Sequence, residues 1–211
     1  MSPKEIANQN LANTMIKNMA KKNLERYYCA TSAEAVEKAL SLMPESSSVT
    51  WGGSMTLTEC GLMDALKTAN YEIIDRDTAK TPEEARVMYA KQVMADYYLM
   101  STNAITINGE LVNIDGRANR VSCLCWGPQN VIVIAGMNKV CSDVENAIQR
   151  VRDMAAPPNC VRLNKNTPCA QTGKCGDCYS QESICSQFLV TRRSSTPNRI
   201  KVILVGEELG Y

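Results

Sequence analysis

Two runs in this chain, VIVIA within 130–135 and VILV within 200–205, are apolar almost without interruption. A strand buried on both faces reads that way, because helices cover either side of a parallel sheet. Further short strand-like runs lie at 26–30, 47–51, 71–75, 103–107 and 111–114, and Asn108-Gly109 between the last two is a two-residue hairpin signal. The helix starts between them are marked by polar residues. Ser2-Pro3-Lys4-Glu5 and Thr81-Pro82-Glu83-Glu84 each set a capping hydroxyl, a proline at the first helical position and a glutamate at the third. Thr31 with Glu34, and Ser142 with Glu145, give two more capping pairs. The pattern predicts helices over 3–22, 32–43, 56–69, 82–100 and 143–155. Strands alternating with helices predict an α/β fold: a mostly parallel central sheet flanked by helices, with a helix at its N-terminal end.

After Met154 the pattern fades. Residues 155–198 are rich in Pro, Asn, Ser, Thr, Gly and Cys. An unstructured loop that long is unusual inside a compact domain unless it is functional or tied down. The chain is therefore expected to be a single domain over 1–211, with a cysteine-rich, metal-binding insertion at 155–198 before the last strand. The insertion holds Cys169-x5-Cys175-x2-Cys178-x6-Cys185. The CxxC pair suits two ligands on one tetrahedral centre, and Gly173 and Gly176 allow tight turns. Four thiolates satisfy either Zn²⁺ or an iron–sulfur cluster. The spacing matches neither a zinc ribbon with two CxxC units nor a two-cluster ferredoxin, but it is compatible with a single [4Fe–4S] cluster. Cys160 upstream is a packed thiol or a substitute ligand. Cys29, Cys60, Cys123, Cys125 and Cys141 read as small buried apolar residues.

Composition narrows the chemistry. The chain has 211 residues, net charge +1 and no histidine. The near-neutral charge argues against a nucleic-acid partner held by bulk charge. Without histidine there is no Ser-His-Asp or Cys-His catalysis and no histidine metal site. A proton must be moved by Asp, Glu, Lys, Tyr or Cys. No apolar run reaches the length of a membrane span, and MSPKEIANQN lacks the features of a leader, so a cytoplasmic location is expected. Thiols in that compartment stay free or bind metal.

Two further stretches carry candidate chemistry. In VTWGGSMTLTECG, residues 49–61, a strand runs through glycines into a helix, which either offers free backbone N–H groups to an anion or is a plain turn. Glu59 sits on that helix. In NAITINGELVNIDGRANR, residues 103–120, Asp115-Gly116 and Asn119-Arg120 follow a hairpin, and Arg120 suits a carboxylate or phosphate partner. Gly136, Asn138 and Lys139 lie just past a buried strand, where open α/β sheets bind ligands.

Taken together, GGSMTLTECGL, NAITINGELVNIDGRANRV, VIVIAGMNKV and TPCAQTGKCGDC resemble the lactate-utilisation, or LUD-domain, family from about residue 2 to the C-terminus. The resemblance implies a fold related to the sugar-isomerase and CoA-transferase-like group. It implies ligand contacts at Gly52, Gly53, Ser54, Met55 and Thr56, at Asn113, Gly116 and Asn119, and at Gly136, Asn138 and Lys139. It also implies a role in oxidising L-lactate to pyruvate alongside iron–sulfur partners. Two functions follow as expectations. The first is a redox subunit: a [4Fe–4S] cluster on Cys169, Cys175, Cys178 and Cys185, with Arg120 holding a small carboxylate or other anionic metabolite and Glu59 or Asp115 moving the proton. The alternative is a non-redox binding or transferase domain with structural zinc and Glu59 as base or nucleophile.

Overall fold

The computed structural model describes residues 1–211. Its main sheet has six parallel strands in the order β1-β10-β7-β4-β2-β3. These are β1 (Glu25–Cys29), β2 (Ser48–Trp51), β3 (Glu72–Ile73), β4 (Tyr97–Met100), β7 (Asn130–Gly136) and β10 (Ile200–Val205). A second sheet of four strands, β8-β5-β6-β9, contains β5 (Ala104–Thr106), β6 (Leu111–Asp115), β8 (Val140–Cys141) and β9 (Gln187–Thr191). The β5–β6 hairpin turns at Gly109, whose φ of +86° suits glycine. The expected α/β architecture with a parallel sheet and an N-terminal helix is present.

The apolar runs form the two central strands. Val131, Val133, Val202 and Leu204 face one layer, with Met15 and Met19 of helix α1 (Pro3–Met19). Ile132, Ile134, Ile203 and Val205 face the other, with Ala35 and Ala39 of α2 (Ser32–Ser41), Leu57 of α3 (Met55–Glu59) and Leu62 and Leu66 of α4 (Leu62–Thr68). A third, smaller core packs Val112 and Ile114 against Ala147, Val151 and Ala155. The caps of α1, α2 and α5 (Pro82–Val93) form as expected: Ser2, Thr31 and Thr81 accept from the N–H groups of Glu5, Glu34 and Glu84.

Several boundaries differ from the sequence pattern. The helix expected over 82–100 stops at Val93, and Tyr97–Met100 becomes β4, buried along its whole length between β2 and β7. Tertiary pairing overrides a sequence that has no glycine or proline to announce the stop. The helix expected over 56–69 breaks at Gly61, φ +86°, into α3 and α4. Asp143, not Ser142, caps α7 (Val144–Arg150), accepting from Asn146 N–H at 2.8 Å. Beyond α7 the helix does not end at 155. It widens into a π-type turn over Val151–Ala155 and continues as α8 (Ala156–Arg162). Pro157 and Pro158 lack N–H groups, so the regular ladder lapses just before them and resumes after.

The segment read as a loop therefore holds α8, α9 (Pro168–Thr172) and β9, which pairs antiparallel with β6 from Gln187↔Asp115 to Thr191↔Leu111. Among the outlying cysteines, Cys29, Cys60 and Cys123 are buried, Cys141 is half-buried and Cys125 is exposed. No helix is long and apolar enough to cross a membrane.

Candidate functional site

The crevice arises where two neighbouring strands leave the first sheet at the same level. β4 ends at Met100 and enters β5 through Ser101, Thr102 and Asn103. β7 ends at Gly136 and enters β8 through Met137, Asn138 and Lys139. The split opens a gap at the carboxyl ends of the strands, where α/β sheets bind ligands. The Gly52–Ser54 turn after β2 closes one side, and the 209–211 segment after β10 the other. These segments line a pocket of about 70 Å³ that includes Thr56, Ser101 and Lys139.

Lys139 is 3% exposed. Its Nζ donates to Thr56 Oγ1 at 2.7 Å and Ser101 Oγ at 3.0 Å. Each hydroxyl directs its own hydrogen elsewhere, Thr56 to the Leu209 carbonyl and Ser101 to that of Thr102. Both hydroxyls thus act toward Nζ as acceptors only. Two amine hydrogens satisfy them, and the third valence of Nζ has no protein partner. No carboxylate forms an ion pair with it. Burial, with repulsion from Arg150 and Arg120 and only Glu59 opposing, lowers its pKa from 10.5 to about 7. In a chain with no histidine, this amine is the group in the crevice that titrates near neutrality.

The other expected residues are close by but largely committed. Arg120 gives Nη1 to Asn113 Oδ1 (2.6 Å) and the Ser101 carbonyl (3.3 Å), Nη2 to Asn103 Oδ1 and the Ile114 carbonyl (2.9 Å each), and Nε to Asp115 (3.3 Å). All five donors have partners, so Arg120 clamps the first sheet's crevice to β6. Asp115 also accepts from the N–H groups of Arg117 and Ala118 at 3.2 Å. Glu59 accepts from Gly210 N–H at 2.5 Å. Asn138 holds the same terminal segment, accepting from Leu209 N–H at 3.1 Å and donating to the Gly210 carbonyl at 3.2 Å. Ser54 caps α3, accepting from Leu57 N–H at 3.4 Å. That helix has five residues, too short to gather much dipole for an anion.

Gly52, Gly53 and Met55 belong to this turn, and Gly52 N–H donates to the Leu99 carbonyl at 3.0 Å. Asn119 begins α6 (Asn119–Cys125) and lines a neighbouring cleft. Gly116 lies against Ile184, whose Cα is 3.2 Å from the place of a Cβ there. Asn113 Nδ2 and the Tyr98 hydroxyl are buried without partners. Ser101, Asn103 and Arg150 carry no local motif, and only their neighbours across the sheets reveal them.

The four expected ligands, Cys169, Cys175, Cys178 and Cys185, line one cavity of about 400 Å³, and Cys160 joins them. α8 and α9 supply Cys160 and Cys169, with the Thr167 hydroxyl 3.3 Å from the Cys169 sulfur. Hydrogen bonds from Ser180 lower the pKa of Cys178, whereas burial raises those of Cys185 and Cys160, the latter to about 11. Arg152 reaches Asp177 at the rim. No three of these thiols, alone or with a carboxylate, come close enough to share one ion. Four sulfurs on one zinc, each at about 2.3 Å, would stand about 3.8 Å apart. Thiols lining one cavity are the donor set that either a zinc ion or an iron–sulfur cluster would take. Ile184 lines both this cavity and the neighbouring cleft, so the two adjoin.

Fold and site together define an α/β protein with a crevice at its strand ends and a thiol-ringed cavity beside it. The LUD domain family model matches residues 12–205. The chain belongs to the LUD domain family, which supports a function related to lactate utilisation in general terms. A crystal structure of a DUF162 family protein from Deinococcus radiodurans is similar over 94% of this chain and 98% of its own, with 12% identity and a TM-score of 0.53. That likeness shows the fold. Weaker likenesses are to eIF2B delta from Chaetomium thermophilum (19% identity, 56% of this chain and 50% of that one, TM-score 0.37) and to ribose 5-phosphate isomerase from Plasmodium falciparum (15%, 60% and 66%, 0.34). No curated protein matches the sequence.

Proposed function

We propose that this LUD-domain protein is an iron–sulfur redox subunit acting on lactate or a related 2-hydroxy carboxylate. The observation that carries the reading is the five cysteines lining one cavity, which adjoins the cleft beside the crevice at Ile184. Cys169, Cys175, Cys178 and Cys185 hold the cluster, and Cys160 is a fifth thiol within reach. When bound, a [4Fe–4S] cluster supplies one-electron transfer, here toward an iron–sulfur protein partner.

The chain's own residues do the rest. Arg162 and Asn159 line both the crevice and the cleft, and Arg162 hydrogen-bonds only Asn159 Oδ1, so its guanidinium is available to a substrate carboxylate. Oxidising a 2-hydroxy acid to its 2-oxo acid removes the hydroxyl proton and, from Cα, a hydride, which a hydride-accepting redox partner would take before its two electrons pass on one at a time through the cluster. Lys139, not Glu59 or Asp115, takes the hydroxyl proton on its free valence. Arg120 positions β6 and Asn103 around it.

The test is anaerobic purification followed by iron and sulfide analysis. Brown protein with about four irons per chain, losing its colour in Cys175→Ser, is the expected result. Protein that stays colourless and free of iron after anaerobic reconstitution would end the redox reading. Lactate-dependent bleaching of the colour, abolished by Lys139→Met with iron content unchanged, tests the crevice separately.

A further inference from the structure

Next to the crevice lies a polar cleft of about 450 Å³ whose charge neither the cysteines nor Lys139 explains. Five cations line it, Arg76, Arg117, Arg120, Arg162 and Lys165, against two carboxylates, Asp77 and Asp115. The whole chain carries a net charge of only +1, so the excess is local. It is only partly neutralised in place, and Arg117 and Arg162 have no ion pair. Asp115 is matched to Arg120. Asp77, its side chain 78% exposed, meets Arg76 Nε at 3.5 Å, a loose surface pair. Lys165 stands 3.8 Å from Glu182. Arg117 reaches Asp115 only through its backbone N–H, and its guanidinium has no hydrogen bond or ion pair.

The cations also come from separate parts of the chain. Arg76 follows β3, Arg117 follows β6, Arg162 ends α8 and Lys165 follows it. No charge run in the sequence brings them together; the fold does. Arg76 Nη2 lies 3.2 Å from where a Cβ on Gly53 would stand, so the glycine turn leaves room for that guanidinium at the sheet's end. Ala85 and Tyr89 of α5 supply a partly apolar wall.

We propose that this cleft binds a phosphate-bearing ligand, with Arg76, Arg117 and Lys165 gripping the phosphate and Tyr89 beside its organic part. Guanidinium forks match pairs of phosphate oxygens. Several like charges along one concave wall favour a multiply charged anion over a lone carboxylate. The inference goes beyond the redox reading and holds with or without a cluster. A nucleotide and a phosphorylated small acid share this chemistry.

Calorimetric titration of the full chain at low salt, with pyrophosphate, ADP and phosphoglycerate in parallel and citrate as a non-phosphate anion, separates the cases. Pyrophosphate is expected to bind, and Arg117→Gln and Lys165→Gln each to weaken it about tenfold, with Arg117→Lys recovering part of the loss. Both residues have accessible side chains, and unchanged thermal unfolding shows that the variants fold. Tighter binding of ADP than of pyrophosphate assigns a nucleotide; tighter binding of phosphoglycerate assigns a phosphorylated acid. Lys139→Met should leave pyrophosphate affinity within about twofold, because its amine lies in the other pocket. No pyrophosphate binding, equal affinity in Arg117→Gln and wild type, or citrate binding as tightly as pyrophosphate would each overturn the proposal.

Discussion

The six-stranded sheet and the four-stranded sheet with its cysteine segment are held together differently. In the first, strands such as Asn130–Gly136 and Ile200–Val205 bury aliphatic side chains against helices on both faces. In the second, Ile105 and Leu111 join the core under helix α1, the opposite face packs on a small core of its own, and the edge strand Gln187–Thr191 leaves Phe188 and Val190 exposed, with Tyr179 beside the thiol cavity wholly exposed. Polar links join the two: Arg120 to Asn103, Asn113 and Asp115, and Arg150 to the Asn103 carbonyl at 2.7 Å. The first region stands mainly on apolar burial. The second is buried along β5 and β6 but open at its edge strand and cysteine segment, which is where the proposed thiolate-bound centre would add stability.

The sharpest way to break this contrast is to remove the proposed metal centre. Thiolate–metal binding in structural zinc sites couples on the order of 10 kcal/mol to folding. Chelation under reducing conditions, or Cys175→Ser, should strip amide exchange protection from 156–191 and leave β7 and β10 protected. Equal protection in both regions before and after would show that the cysteine segment needs no inorganic centre.

Arg120→Met tests the joint. It leaves the buried Asp115 carboxylate, the buried Asn113 amide oxygen and the half-buried Asn103 amide oxygen without their partner, so a cost of about 3–5 kcal/mol is expected in urea unfolding. Ile134→Ala within the first sheet should cost about 3 kcal/mol. A cost for Arg120→Met below that of Ile134→Ala would demote the polar joint to a minor contact.

Lys139 gives a prediction with a sign. Its folded pKa of about 7 lies below the ordinary 10.5. Between these values the unfolded chain holds a proton that the folded chain has released, so stability rises with pH across that window. Below pH 7 both states are protonated and the burial penalty is complete. Lys139→Met should therefore be more stable than wild type near pH 6, by about 3 kcal/mol, with the advantage shrinking toward about pH 10. A gap independent of pH would mean that the amine keeps its charge in the fold. The smallest effect is Thr81→Ala, about 1 kcal/mol from a lost cap, and it should not alter metal content.

Local chemistry was readable from residues 1–211 without the fold. Ser2, Thr31 and Thr81 announce helices because a cap bonds within three residues of itself. VIVIA and VILV announce central strands because only a doubly covered strand tolerates such runs. Lys139, just past one of those strands, was placed at the crevice for the same reason, and TPCAQTGKCGDC marked the thiols.

Long-range pairing decided the rest. Tyr97–Met100 has a helical approach and became a strand because a slot between β2 and β7 was there to bury it. The two hydroxyls that hold Lys139 lie 83 and 38 residues away in the chain, and Arg120's donors are filled by two other segments, 101–103 and 113–115. A capping bond or an apolar face is a property of neighbours in sequence, so the sequence alone fixes it. The pKa of an amine, the commitment of a guanidinium and the gathering of scattered cations depend on distances across the fold, which only the tertiary structure sets.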